Sequence, residues 1–181
     1  MPPLLKRSKT DKTPRYEGPP RLLIVDDNPD AARLLGKLFR REGFEVAEVN
    51  DHQVALVALA NEPNPISAVV SSFSTAGTGA SVKLLDAVRN HHDPRVNTAR
   101  MVLVIDTPRQ RVFTWQSGAD EILLRPYRAI ELIQAVGRAI ERADSERPVY
   151  RARMIADVES MSVREGIDTL LDAPTPSIRF S

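Results

Sequence analysis

Two adjacent carboxylates, Asp26 and Asp27, close the apolar run Leu22-Leu23-Ile24-Val25. Oxygens placed so can bind a hard divalent cation, cap the helix that follows, or pair with a guanidinium. Three further chemistry-bearing pairs also end short apolar runs: Ser71-Ser72, Asp106-Thr107 and Arg125-Pro126. The planar fork of Arg125 can bridge Asp26, Asp27 or Asp106 through charge-assisted hydrogen bonds. For the acidic pair we favour capping of the next helix together with pairing to Arg125 over binding of Mg²⁺. Ser71 and Ser72 read as small polar residues at a strand end ahead of targets for a Ser/Thr kinase. Gly77-Thr78-Gly79 lacks the Lys-Ser or Lys-Thr pair of a Walker loop, so it reads as a loop and not as a phosphate cradle. His52, His91 and His92 have no metal-ligand spacing, and the absence of cysteine removes thiol catalysis and thiolate metal sites.

The elements that must position these residues follow from the apolar periodicity. Leu22 to Val25 reads as a buried strand, and Ala31 to Arg41 follows with Leu34, Leu35, Leu38 and Phe39 at helical spacing, ended by Gly43. Strand and helix then alternate. Strands are expected at Glu45 to Val49, Ser67 to Ser71, Met101 to Ile105 and Glu121 to Leu124; helices at His52 to Ala60, Val82 to Arg89, Arg109 to Gln116 and Ile130 to Arg142. Five apolar strands, each followed by a helix, predict a doubly wound α/β fold: a five-stranded parallel sheet with helices on both faces. In such sheets ligands bind beyond the carboxyl ends of the strands, which is where all four pairs fall.

Residues 21 to 142 resemble the receiver domain of bacterial response regulators, a flavodoxin-like fold, through Leu22-Leu23-Ile24-Val25-Asp26-Asp27-Asn28, Gly118-Ala119-Asp120 and Leu124-Arg125-Pro126-Tyr127 in the expected order. The resemblance implies a reaction in which a phosphoryl group passes from a kinase histidine to an aspartate at the end of the third strand. That reaction needs an acidic pair for Mg²⁺, a lysine, and a hydroxyl that senses the charge. Asp26 and Asp27 match the acidic pair. The acceptor position, however, falls on Ser71 or Ser72, neither of which accepts phosphate as an aspartate does. Asp106 stands where the family has Ser or Thr, Thr107 taking that place in an alternative register. Ile122 replaces the switch aromatic, and Arg125 the lysine. The chain thus resembles a degenerate pseudo-receiver lacking the phospho-acceptor, and we expect no catalytic residue and no cofactor, with Mg²⁺ on Asp26 and Asp27 the less favoured alternative.

Outside the domain, expected at 21–144, residues 1–20 are basic and proline-rich and read as a disordered tail. The extension 145–181 is expected to be partly helical. Asp144-Ser145-Glu146-Arg147-Pro148 breaks the preceding helix, Met154, Ile155, Val158 and Met161 form one apolar stripe, and Ser162-Val163-Arg164-Glu165 has the capping-box spacing that would start a second helix carrying Ile167, Leu170 and Leu171, with Pro174 and Pro176 ending it. The extension is too short for a winged-helix output domain, and its stripe is expected to pack on its own domain or on a second copy before any foreign partner. The near-zero net charge gives no strong nucleic-acid field, and no apolar run is long enough for a secretory signal or a membrane span, so a cytoplasmic protein is expected. The favoured function is a signalling module acting by protein-protein interaction in a two-component-type pathway. It would dock a kinase, another regulator, a downstream effector or a second copy through Tyr127, Ile130, Met154, Ile155 and Val158. A regulator contacting nucleic acid through the basic tail is the second reading, and an enzyme the third.

Overall fold

The computed structural model describes residues 18–171, and all their side chains except those of Thr78, Ser162 and residues 165–171. The expected tail lies outside this range up to residue 17, as do Pro174 and Pro176. Five parallel strands stand in the order β2-β1-β3-β4-β5. They are β1 (Arg21–Val25), β2 (Glu45–Val49), β3 (Ala68–Ser71), β4 (Met101–Ile105) and β5 (Glu121–Leu124). β4, an interior strand reading Met-Val-Leu-Val-Ile, is buried at every residue because helices cover both of its faces.

Alternation of side chains along the strands divides the core in two. Leu23, Val25, Val69, Met101 and Leu103 face one side, where helices α2 (His52–Asn61), α3 (Thr78–Arg89) and α5 (Arg111–Gln116) contribute Ala55, Leu59, Leu84, Leu85, Val88 and Trp115. Leu22, Ile24, Val70, Val102, Val104 and Leu123 face the other, under α1 (Pro29–Arg41) and α6 (Ala129–Glu141), with Phe39, Leu132 and Val136 as the buried helix residues. α3 begins earlier than its apolar spacing suggests, at Thr78. A single turn, α4 (Pro94–Asn97), precedes β4; its cap is Asp93, whose side chain accepts from the Arg95 amide, with proline at the first position.

Residues after α6 turn through Asp144-Ser145-Glu146 and enter one continuous helix, α7 (Arg147–Leu171). No second helix starts at Ser162. The capping-box spacing there lies inside a run with neither glycine nor proline between Val149 and Glu165, so nothing interrupts the backbone ladder. Pro148 does not oppose the helix either, because it sits in the first turn, where its missing N–H would have had no partner. Tyr150, Met154, Ile155 and Val158 pack in cis against the core on the α3/α5 side of the sheet, and the Tyr150 ring meets Trp115 edge-to-face at 5.8 Å.

The same region holds the densest ion pairing. Asp120, at the start of β5, has a side chain 1% exposed and accepts from Arg89 of α3 at 3.0 Å, from Arg147 at 2.7 and 2.9 Å and from Arg151 at 3.3 Å. The Met101 amide adds a bond at 2.8 Å. Arg89 also donates to the carbonyls of Asn97, Ala99 and Gly118. Glu121, also buried, accepts from Arg138 at 3.0 Å and Arg142 at 2.7 Å, and the Arg142 guanidinium lies 3.4 Å from the Tyr150 ring centre. Gly118 makes this cluster possible, because its φ is +102° and a Cβ there would lie 2.9 Å from Arg89 Nε. Gly118→Ala should therefore lower stability by about 1–3 kcal/mol, read from urea unfolding; an unchanged midpoint would show that Arg89 moves aside without cost.

Candidate receiver pocket

The carboxyl ends of β1, β3, β4 and β5 meet in one crevice. Strand alternation selects what points into it: Asp26, Ser72, Asp106 and Arg125 each lie two residues beyond Ile24, Val70, Val104 and Leu123, which share the α1/α6 core. Arg125 stands at the centre. Its Nη1 donates to Asp106 Oδ1 at 2.9 Å and to the Phe73 carbonyl at 3.3 Å, and its Nη2 to Ser72 Oγ at 3.0 Å and the Ser72 carbonyl at 3.2 Å. Of the three carboxylates that sequence offered as partners for Arg125, the structure gives it Asp106.

Asp26 and Asp27 are engaged differently. Asp26 Oδ1 accepts from the amides of Asn28 at 2.9 Å and Ser74 at 3.2 Å, and its Oδ2 from Ser74 Oγ at 2.8 Å. Asp27 Oδ1 accepts from the amides of Ser74 and Thr75 at 2.9 and 3.0 Å, and its Oδ2 from the Ala76 amide. The loop after β3 is thus folded over the acidic pair with three successive N–H groups aimed at it. The expected capping role belongs instead to Asn28, whose side chain accepts from the amides of Asp30 and Ala31; Asp26 accepts from the amide of Asn28 itself and from Ser74, and Asp27 from the loop after β3. Burial pushes the Asp26 carboxyl up, against the bonds from Asn28 and Ser74. For Asp27 burial acts in the same upward direction but is outweighed by the Thr75, Ala76 and Ser74 donors, which hold it well below the ordinary range.

The remaining site residues separate. Ser71 lies on the opposite side of the strand, facing α3, with its Oγ buried and without a hydrogen-bond partner, so of the two serines only Ser72 reaches Arg125. Thr107 is exposed and caps a 3₁₀ turn at Pro108–Gln110, its amide donating to Gln110 Oε1 at 3.3 Å. Ile122 is half-buried against the α3/α5 core. Tyr127 packs against the α1/α6 core and Ile130 is 49% exposed, whereas Met154, Ile155 and Val158 are covered by their own domain. The five residues proposed as one docking face therefore lie on two sides of the sheet. The Arg125-Pro126 bond is cis. Sequence reading missed the clamp from residues 74–76, since backbone amides leave no compositional signal, and it noted Asp120 without its partners; Arg147 and Arg151 at i, i+4 beside the apolar stripe were the available sign.

No protein-family model matches the chain. It is 31% identical over 140 residues to "DNA-binding response regulator MtrA" of Mycobacterium tuberculosis, a match covering 77% of this chain and 58% of that relative. The chain contains a receiver domain of the response-regulator family. Among solved structures, a sensor protein from Polaromonas is 28% identical, covering 67% of this chain and 96% of its own, with a TM-score of 0.56. A putative response regulator from Chloroflexus aurantiacus shares the fold at a TM-score of 0.59 and 24% identity, over 68% of this chain and 99% of its own. The chain spans little more than half the length of the curated relative, so the match concerns the receiver part. In the crevice as arranged each carboxylate of the acidic pair accepts three hydrogen bonds, and among the described residues no group of three acidic or imidazole side chains converges on one point. No described helix is long and apolar enough to cross a membrane.

Proposed function

We propose that this receiver is a pseudo-receiver: a signal-transduction module that acts by binding other proteins and not by accepting a phosphoryl group. The observation that carries the reading is the partner of Arg125. At the end of β3 the residue facing that cation is Ser72, a neutral hydroxyl, and the anion that neutralises the guanidinium is Asp106 from the neighbouring strand. In the phosphorylatable family the acceptor aspartate of the third strand, and then its phosphoryl group, would supply that anion; here the third strand offers a neutral hydroxyl and the carboxylate comes from the end of β4. The ion pair ties β4 to β5 and holds the loop leading to α5 in one arrangement, which suits a surface read continuously by a kinase, another regulator or an effector.

The donor set argues the same way. A phosphoryl acceptor must be a nucleophile, and neither Ser72, which accepts a bond from Arg125, nor Ser71, turned into the core, is a carboxylate. Incubation with acetyl phosphate and Mg²⁺ should leave the intact mass unchanged under conditions that label an orthodox receiver run alongside. A base-labile, acid-stable phosphoryl adduct on any aspartate would overturn the reading.

A further inference from the structure

β2 and β5 are the two edges of the sheet. An edge strand carries backbone donors and acceptors that face no neighbouring strand, and charged side chains commonly cover them. On β2 Arg40 does so, its Nη2 donating to the Val46 carbonyl at 3.2 Å. β5 is covered in this way only where it begins, Arg142 Nη1 donating to the Asp120 carbonyl at 3.0 Å.

Further along β5 the edge is open. The Arg125 amide donates to the Ile105 carbonyl at 2.9 Å, and Leu124 is the register partner of Ile105, so Leu123 and Arg125 turn their backbone groups toward β4. Alternation leaves the N–H and C=O of Ile122 and Leu124 pointing outward, and among the described residues none bonds to them. This stretch is the floor of a groove of about 430 Å³, with Arg111 of α5 on one wall and Arg138 of α6 on the other.

The groove is positive. Glu121 pairs with Arg138 and Arg142, and Glu131 with Arg128, while Arg111 forms no ion pair among the described residues and the Arg138 side chain stays 52% exposed. Arg111, Arg128, Arg138 and Arg142 thus stand against Glu121 and Glu131 alone. A second copy is a poor occupant, because two-fold pairing of β5 with β5 would bring these guanidinia together with both carboxylates already engaged.

We infer that the open edge of β5 takes an extended acidic segment of a partner protein as a sixth strand, its backbone paired with Ile122 and Leu124. α5 and α6 lie on opposite faces of the sheet, so successive side chains of an added strand point to Arg111 and Arg138 in turn. Two adjacent acidic residues satisfy both. The inference rests on the reading of this receiver as a protein-binding module and names the chemistry of the partner. A phosphoryl adduct in the crevice would fail that reading and leave peptide binding as it is; loss of peptide binding would fail the inference and leave the mass measurement as it is.

The probe is a blocked, fluorescein-labelled octapeptide of valine and threonine with a central Glu-Glu pair, its anisotropy followed as the full chain is added. It should bind, with new hydrogen-exchange protection at the Ile122 and Leu124 amides, and a Lys-Lys counterpart should not. Arg111→Glu, at a side chain that packs in neither core, should weaken the Glu-Glu peptide by about tenfold and favour the Lys-Lys one. N-methylation of alternate peptide amides should abolish binding in one phase and spare it in the other, because only one row of amides faces the edge; this control leaves the protein untouched. A Glu-Glu peptide that does not bind, equal binding of the Lys-Lys peptide, indifference to N-methylation in both phases, or a dimer that protects Ile122 and Leu124 without peptide would each overturn the inference.

Discussion

Replacing Asp120 by Asn should cost about 3–5 kcal/mol of folding stability, the range for removing one partner of a buried ion pair. The carboxylate is 1% exposed and receives four of its five described bonds from Arg89, Arg147 and Arg151, drawn from two helices far apart in sequence. Asparagine keeps the shape but leaves three guanidinia around a neutral group. Asp144 offers the contrast: it pairs with Arg100 and Arg147 while its side chain is 77% exposed, so Asp144→Ala should change stability by about 1 kcal/mol or less. Burial by itself pushes the Asp120 carboxyl up; the bonds and charge of Arg147, the Met101 amide and Arg89 outweigh it and hold the group below its ordinary value of 3.8. A lowered folded-state pKa means that the stabilisation is fully present above 3.8 and is lost as pH falls through the folded-state value. The stability gap between wild type and Asp120→Asn should therefore narrow on acidification below about pH 4. Equal stabilities at neutral pH would show that the cluster contributes nothing net.

Truncation after Ala143 should destabilise the domain further. It removes Tyr150, Met154, Ile155 and Val158 from the core and uncovers Trp115, which is 3% exposed with α7 in place. It also strips Asp120 of Arg147 and Arg151. A fully buried apolar side chain contributes about 1.5–3 kcal/mol; these four are partly buried, so about 1 kcal/mol each is a fair scale. Side-chain burial alone sets the expected loss at about 4 kcal/mol. For a domain of this size the melting temperature should fall by about 10 °C. Scanning calorimetry of residues 1–143 against the full chain checks it. An unchanged melting temperature would mean that the receiver core is indifferent to α7, and the cis packing a contact without energetic weight.

The number and parallel direction of the five strands, the two helical layers and the crevice at the strand ends were legible in sequence, because each rests on local periodicity: an apolar run too short for a helix needs a sheet, and a helix between two such runs makes the sheet parallel. Which hydroxyl meets Arg125 was not legible, since Ser71 and Ser72 differ by one residue and only the pairing of β3 with its neighbours decides which one turns toward the α1/α6 face. The partner of Arg125 was likewise a choice among three carboxylates at similar distances along other strands. The amides of Ser74, Thr75 and Ala76 carry no side-chain signature, so their closure over Asp26 and Asp27 depends on loop geometry alone. The course of α7 shows both limits. Its apolar stripe at Met154, Ile155 and Val158 was visible as helical spacing, but the continuous backbone through Ser162 and the convergence of Arg147, Arg151 and Arg89 on Asp120 came only with the fold, because charge pairing across 27 to 31 residues of chain is set by which surfaces the packed helices bring together.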